Sequence, residues 1–309
     1  MNREKVLQSI ILKKRFCKDC RIPISVFDNP YFYQRLCALD PIYHGIKKFE
    51  AFCDEMEQYA NEQEYLSHYN AVKDQIIDAI KGNAAYQRFN AETFKTVTPY
   101  SKRNLYIEDN DGKAFISIDM KKANFSALRF YDPEIFDFCD TWEEFVGQFT
   151  DSQHIIESKY IRQVVLGACN PNRHIQYERY LMAQLIDHVV ANCSGISVFS
   201  LGEDEILLAV EPNSGFSLND LKEIVKNCPD HIGNLVRVEM FNLSKISGTQ
   251  GWMKHHYDGN IEFKCLDGDT VHQVIKYYFG EPVTKDDLVF FHDGKLATYL
   301  EAIENPWKE

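Results

Sequence analysis

Three carboxylates in two short strings are the residues of this chain best placed to do chemistry. In FISIDMKKANFSALR (115–129), Asp119 closes a run of β-type residues. In SVFSLGEDEILLAVEP (197–212), Asp204 and Glu205 lie between two apolar stretches. A carboxylate at the end of one strand and a pair in the turn of a later hairpin can meet on neighbouring strands. Clustered carboxylates repel one another unless cations lie between them. Oxygen-only ligands suit magnesium or manganese rather than zinc. Two such ions about 3.5–4 Å apart serve phosphoryl and nucleotidyl transfer. On this reading Asp119 and Asp204 bind metal and Glu205 supports them. The plainer alternative is a solvated polar turn, Gly202-Glu203-Asp204-Glu205, beside an unrelated aspartate.

These residues need elements to hold them. The alternation of apolar residues predicts strands over 114–119, 196–201, 205–210 and 235–241. Helical spacing predicts short helices within 134–149 and longer ones over 153–168, 173–193 and 217–227, the last capped by Ser217. With the inserted segment set aside, the order is β-α-β-β-α-β, the ferredoxin-like split unit, in which the first strand lies beside the central hairpin. The expected fold class is therefore α+β. Residues 1–110 read as a mainly helical region and 111–257 as the sheet-bearing unit, with an insert at about 134–172. Residues 258–309 read as a small α+β appendage. The Asp111-Gly112 pair signals a hairpin directly before the first acidic strand. Lys159 and Arg162, with Gln163 beside them, fall at helical spacing. A basic helix face opposite the acids would grip a triphosphate; the alternative is an ordinary amphipathic helix with solvated cations.

From about residue 110 to 255 the chain resembles the polymerase domain of family A DNA polymerases. FISIDMKKANFSALR is similar to the family's motif A, with Asp119 on its metal-binding aspartate. SLGEDEILLAV is similar to motif C, with Asp204 and Glu205 on its Asp-Glu and Glu203 in place of a histidine. SKYIRQVVLGACNP (158–171) resembles the fingers helix. The resemblance places Arg162 on the lysine that grips the triphosphate and Lys159 on an arginine. Leu166 and Asn170 fall on the two aromatics that stack on the incoming base, and Asn124 on the glutamate that blocks the ribose 2′ position. It implies a polymerase palm with a reduced fingers segment that adds nucleotides to the 3′-hydroxyl of a primer strand. The substrates would be nucleoside triphosphates and the cofactor magnesium or manganese. The segment from Arg162 to Asp204 is much shorter than in a typical member. With Asn124 in place of the glutamate, the resemblance implies that ribonucleotides would gain access. The turn GlyGluAspGluIle also resembles the Gly-Gly-Asp-Glu-Phe signature of diguanylate cyclases, so a cyclic-nucleotide synthase is the alternative enzyme. A catalytically inactive palm serving as a binding scaffold is the third reading.

Composition narrows the setting. The 309 residues are 45% hydrophobic, enough for a sizeable core. The net charge of −12 argues against a broad basic nucleic-acid surface and leaves local patches, such as Lys13, Lys14, Arg15 and Lys18. Nine cysteines without a regular framework point to a reducing interior. The N-terminus reads without a signal peptide, and no apolar run is long enough to span a bilayer. The expectation is a soluble cytoplasmic protein with no membrane partner. Cys17-x-x-Cys20, with Cys37 and His44, has a weak zinc-like spacing; buried free thiols are the alternative. His255 and His256 read as loop histidines near the end of the sheet. The tyrosine-rich positions 31, 33 and 99–106 (Tyr31, Tyr33, Tyr100, Tyr106), with Lys102 and Arg103, offer stacking surface for single-stranded bases or helix packing.

Overall fold

Side-chain caps decide where most helices of the computed structural model begin. The structure describes residues 1–210 and 215–308. The N-terminal part is helical throughout: α1 (Arg3–Gln8), α2 (Ile10–Cys20), α3 (Tyr31–Tyr43), α4 (Gly45–Met56), α5 (Glu62–Gly82) and α6 (Ala84–Ala91). Asn2, Ser9, Asn61 and Asn83 each accept a backbone N–H in the first turn of the helix that follows. Phe49, Phe52, Met56 and Tyr59 are buried, as their helical spacing implies, although the helix breaks at 57–61.

An irregular segment then crosses to β1 (Ala114–Met120), followed by α7 (Ala123–Tyr131), α8 (Trp142–Gly147), α9 (Gln153–Glu157), α10 (Lys159–Gly167) and α11 (Pro171–Asn192). The hairpin expected at Asp111-Gly112 does not form, because no strand precedes it. Gly112, at φ +71°, instead turns the chain so that its N–H reaches the Leu243 carbonyl. The single helix expected over 153–168 is two. Ser158 leaves the helical path at ψ 111° and caps α10 through the Ile161 N–H.

The hairpin β2 (Ile196–Leu201) and β3 (Glu205–Val210) follows, then α12 (Leu218–Lys226), capped by Ser217, and β4 (Val236–Lys245), β5 (Trp252–His256) and β6 (Ile261–Lys264). All six strands form one antiparallel sheet in the order β2-β3-β1-β4-β5-β6. β1 therefore lies between β3 and β4. α13 (Val271–Tyr278) and a small hairpin, β7 (Val289–His292) and β8 (Lys295–Thr298), complete the chain.

The two faces of the sheet differ. Ile116, Ile118 and Met120 point into the main core with the helices, and Phe115 points the other way. There Phe115, Leu207, Phe241, Leu243 and Trp252 form a second apolar patch, closed by Leu105 from the irregular segment. The boundary expected at 257/258 is corrected. β6 pairs with β5 inside the main sheet, and Val271, Val274 and Ile275 of α13 belong to the main core. Arg35 of α3 also reaches Asp287 at 3.1 Å, with both side chains buried. Among the described residues no helix is long and apolar enough to cross a membrane.

Candidate active site

The alternation of β1 that sends Ile116 and Ile118 into the core sends Ser117 and Asp119 to the opposite face, with Ser117 beside Leu207 of the apolar patch and Asp119 beyond it. Asp119 stands opposite Glu205 in the ladder. The Met120 N–H donates to the Asp204 carbonyl at 2.9 Å, which makes Asp119 and Glu205 a non-hydrogen-bonded pair. In such pairs the Cα atoms are only about 4.5 Å apart and the side chains closest. Like charges placed directly opposite one another are destabilising. The tight turn before β3, held by the Gly202 N–H to the Glu205 carbonyl at 2.8 Å, sets Asp204 beside them. The fold thus brings all three predicted carboxylates to one edge of a polar cleft of about 270 Å³.

Burial raises the Asp119 carboxyl; Arg237 opposes that rise, while Glu205 and Asp204 add to it. Burial likewise raises Asp204, with Glu205 and Glu203 adding to the rise. Glu205 accepts from the Ser117 hydroxyl at 2.6 Å. Arg237 of β4 contacts Asp119 Oδ2 at 3.0 Å through both Nε and an η nitrogen. Glu203 is not in the cluster: it pairs with Lys102 at 2.7 Å, which lowers its carboxyl. Among the described residues no three metal-ligating side chains already converge on a common point. The donor set itself suits a hard divalent cation, since the three grouped donors are carboxylates.

The fingers-like helix is placed less evenly. Lys159 and Arg162 lie in the first turn of α10, and burial lowers both. Lys159 is further lowered by Arg162, Arg21 and Lys264, and Asp119 across the cleft opposes that drop. Leu166 requires correction: it is 0% exposed inside the main core and cannot touch a nucleotide. Asn170 is also committed elsewhere. Its side-chain oxygen caps α11 through the Arg173 N–H, and its amide donates to Asn90 at 2.8 Å. Asn124 is half-buried near the start of α7, one turn beyond Asp119.

Two charged groups around the carboxylates, Glu178 and Lys254, escaped the sequence reading, and a third, His256, was misplaced by it. Glu178 of α11 is 3% exposed, leaves one oxygen unpaired, and is pushed up to about 8, first by burial and then by Asp204 and Glu203. Its signal was present: it falls on the apolar stripe with His174, Leu181 and Leu185. Lys254 of β5 is buried with its ammonium 4.4 Å from the Phe241 ring centroid. Burial lowers it, and Glu205 opposes that drop. His256 is not a loop residue. It ends β5 with its side chain 7% exposed, and neither ring nitrogen has a hydrogen-bond partner. Only the pairing of β5 with β4 brings these two side chains to the carboxylates.

The zinc-like set does not assemble, since Cys17, Cys20, Cys37 and His44 form no such group. Burial pushes the Cys20 thiol up to about 12, so it is neutral at physiological pH. Tyr106 packs at the rim of the apolar patch, 6.3 Å from Trp252 between ring centroids. No known protein family, characterised protein or solved structure matches the chain.

Proposed function

We propose that this protein is a divalent-metal-dependent nucleotidyltransferase built on a ferredoxin-like, palm-type sheet. It would add nucleotides to a 3′-hydroxyl, in the manner of a minimal family A DNA polymerase. The observation that carries the reading is the Asp119–Glu205 cross-strand pair with Asp204 at its edge. A fold gains no stability from facing two carboxylates across a ladder. Metal binding gives that arrangement a purpose.

In this reading Asp119 and Asp204 hold magnesium or manganese from adjacent strands, and Glu205, fixed by Ser117, supports them. The bound metal would lower the pKa of the attacking hydroxyl and neutralise charge on the triphosphate and leaving group. Lys159 and Arg162 meet the triphosphate from α10. Their partial burial leaves their charge poorly solvated, so an incoming anion restores what desolvation removed. Asn124, shorter than a glutamate, leaves room beside a ribose 2′-hydroxyl.

One observation favours the scaffold reading: Arg237 already occupies Asp119. That pair is half open to solvent, with side chains 52% and 26% exposed. Such pairs contribute about 0–1 kcal/mol, so a divalent cation readily displaces the guanidinium.

The deciding experiment incubates the protein with magnesium or manganese, ribo- and deoxyribonucleotides and a labelled primer, with and without template, alongside Asp204→Ala. Extension lost in the variant supports the transferase; relative use of ATP and dATP reports on Asn124. A cyclic or dinucleotide product made without primer would replace it with the cyclase reading. No product and no calorimetric metal binding would leave the scaffold.

A further inference from the structure

Against a net charge of −12, a local cluster of unpaired cations makes a surface that attracts anions. Here α2 and the turn after it carry Lys14, Arg15, Lys18 and Arg21 along an open trough of about 780 Å³. Of these side chains Arg15 alone has a carboxylate partner among the described residues, Asp19 at 3.8 Å. Lys14 and Lys18 are exposed and one helical turn apart, about 6 Å along the axis. Arg15, Lys18 and Arg21 crowd the ring of Tyr160 on α10, at 5.0, 4.3 and 5.7 Å from its centroid. Lys18 lowers the Tyr160 hydroxyl through a side-chain hydrogen bond.

The floor of the trough is different. Ile22, Pro23, Ile24 and Phe27 line it, with Leu66 from α5. Repeating cations on the rim and apolar surface below fit an anion that also presents flat apolar groups. Duplex nucleic acid turns its phosphates outward and hides the faces of its bases. A single strand offers both phosphates and base faces.

The trough also adjoins a second pocket that reaches α10. Arg21 lines it and also a neighbouring pocket of about 320 Å³ whose wall includes Lys159. Lys159 opens α10, and Asp119 is among the charges that act on it. We infer that Lys14, Lys18 and Arg21 bind the backbone of a single-stranded nucleic acid and guide it along α2 and α10 toward the Asp119 cleft. The guiding role rests on the transferase reading; the binding itself does not.

The test is fluorescence anisotropy of a labelled mixed-sequence single strand, without metal or nucleotide, over a salt series. The proteins are the wild type, the combined Lys14→Gln, Lys18→Gln and Arg21→Gln variant, and a Lys222→Gln, Lys226→Gln control on the exposed side of α12. Each lost phosphate contact removes about 0.7 from the slope of log K against log salt for a single strand. The triple variant should therefore lose about 2 from the slope and about 100-fold in affinity near 0.1 M salt. The control should bind as the wild type does, and melting curves should match because every substituted side chain is exposed. Unchanged affinity in the triple variant, an equal loss in the control, or duplex bound as tightly as single strand would overturn the inference. So would wild-type protein that ignores the strand and binds anionic phospholipid vesicles. Asp204→Ala separates the two readings. Strand binding that survives in it, with no extension by the wild type, keeps the trough and removes the transferase. Extension by the triple variant at wild-type primer concentration dependence does the reverse.

Discussion

Glu178 ties the stability of the fold to pH. Its carboxyl is pushed up to about 8 because α11 holds it almost out of solvent near two acidic neighbours. A group raised in the folded state binds more protons there than in the unfolded chain. Its contribution is therefore complete below the unfolded value near 4.5 and lost as pH rises to about 8. From the 1.36 kcal/mol per unit rule, the loss at pH 7 is about 3 kcal/mol. Glu178→Gln, which mimics the neutral acid, should be the more stable protein at pH 7–8 and should flatten this dependence in urea titrations at pH 5 and pH 8. The Asp204 carboxyl is also raised, so Asp204→Asn should abolish nucleotidyl transfer while leaving stability equal or higher at neutral pH. Arg237→Gln removes the cation that competes for Asp119. Calorimetry should show manganese binding several-fold tighter, and a variant that binds no tighter would remove Asp119 from the metal site.

At the scale of elements, the caps position the chemistry. Ser158 breaks what the sequence reads as one helix and starts α10 with Lys159 and Arg162 in its first turns. Ser158→Ala should cost about 1 kcal/mol, the usual value of a lost N-cap. It should also raise the KM for nucleotide more than it lowers kcat, since it disturbs the grip and not the carboxylates. The sheet does the comparable job for the acids. A ladder shifted by one residue would turn Asp119 into the core and Ile118 outward. The buried Ile116 and Ile118 therefore fix the register that places Asp119 opposite Glu205.

Across the whole molecule, the last fifty residues are part of the fold's foundation. A chain ending at residue 257 would lose β6 and also Val274 and Ile275, each 0% exposed, and so uncover the part of the core they pack against. It would also leave Arg35, 4% exposed, without Asp287. Breaking a buried pair from one side costs about 3–5 kcal/mol, against a typical total stability of about 5–15 kcal/mol. The truncated chain should show no cooperative melt, and Asp287→Ala in the full chain should lose about 3 kcal/mol in urea unfolding. A truncated chain melting like the full one would restore the appendage.

The sequence by itself determined the acids, the helical first ninety residues and the chain order of the first four sheet-forming strands. Each rests on local pattern: period-2 alternation around Asp119, the Gly202 turn before Glu205, helical spacing with its capping residues. Only the tertiary structure decided which cations and buried groups join those acids. Arg237, Lys254 and His256 reach the cleft through pairing of β4 with β1 and of β5 with β4, and nothing local marks which strands will be neighbours. Leu166 went the other way for the same reason. Its motif position suggested a nucleotide contact, and the packing of α10 against α2 and α5 turned it into the core. Local sequence sets a residue's face on its own element, and what that face meets depends on elements distant in the chain.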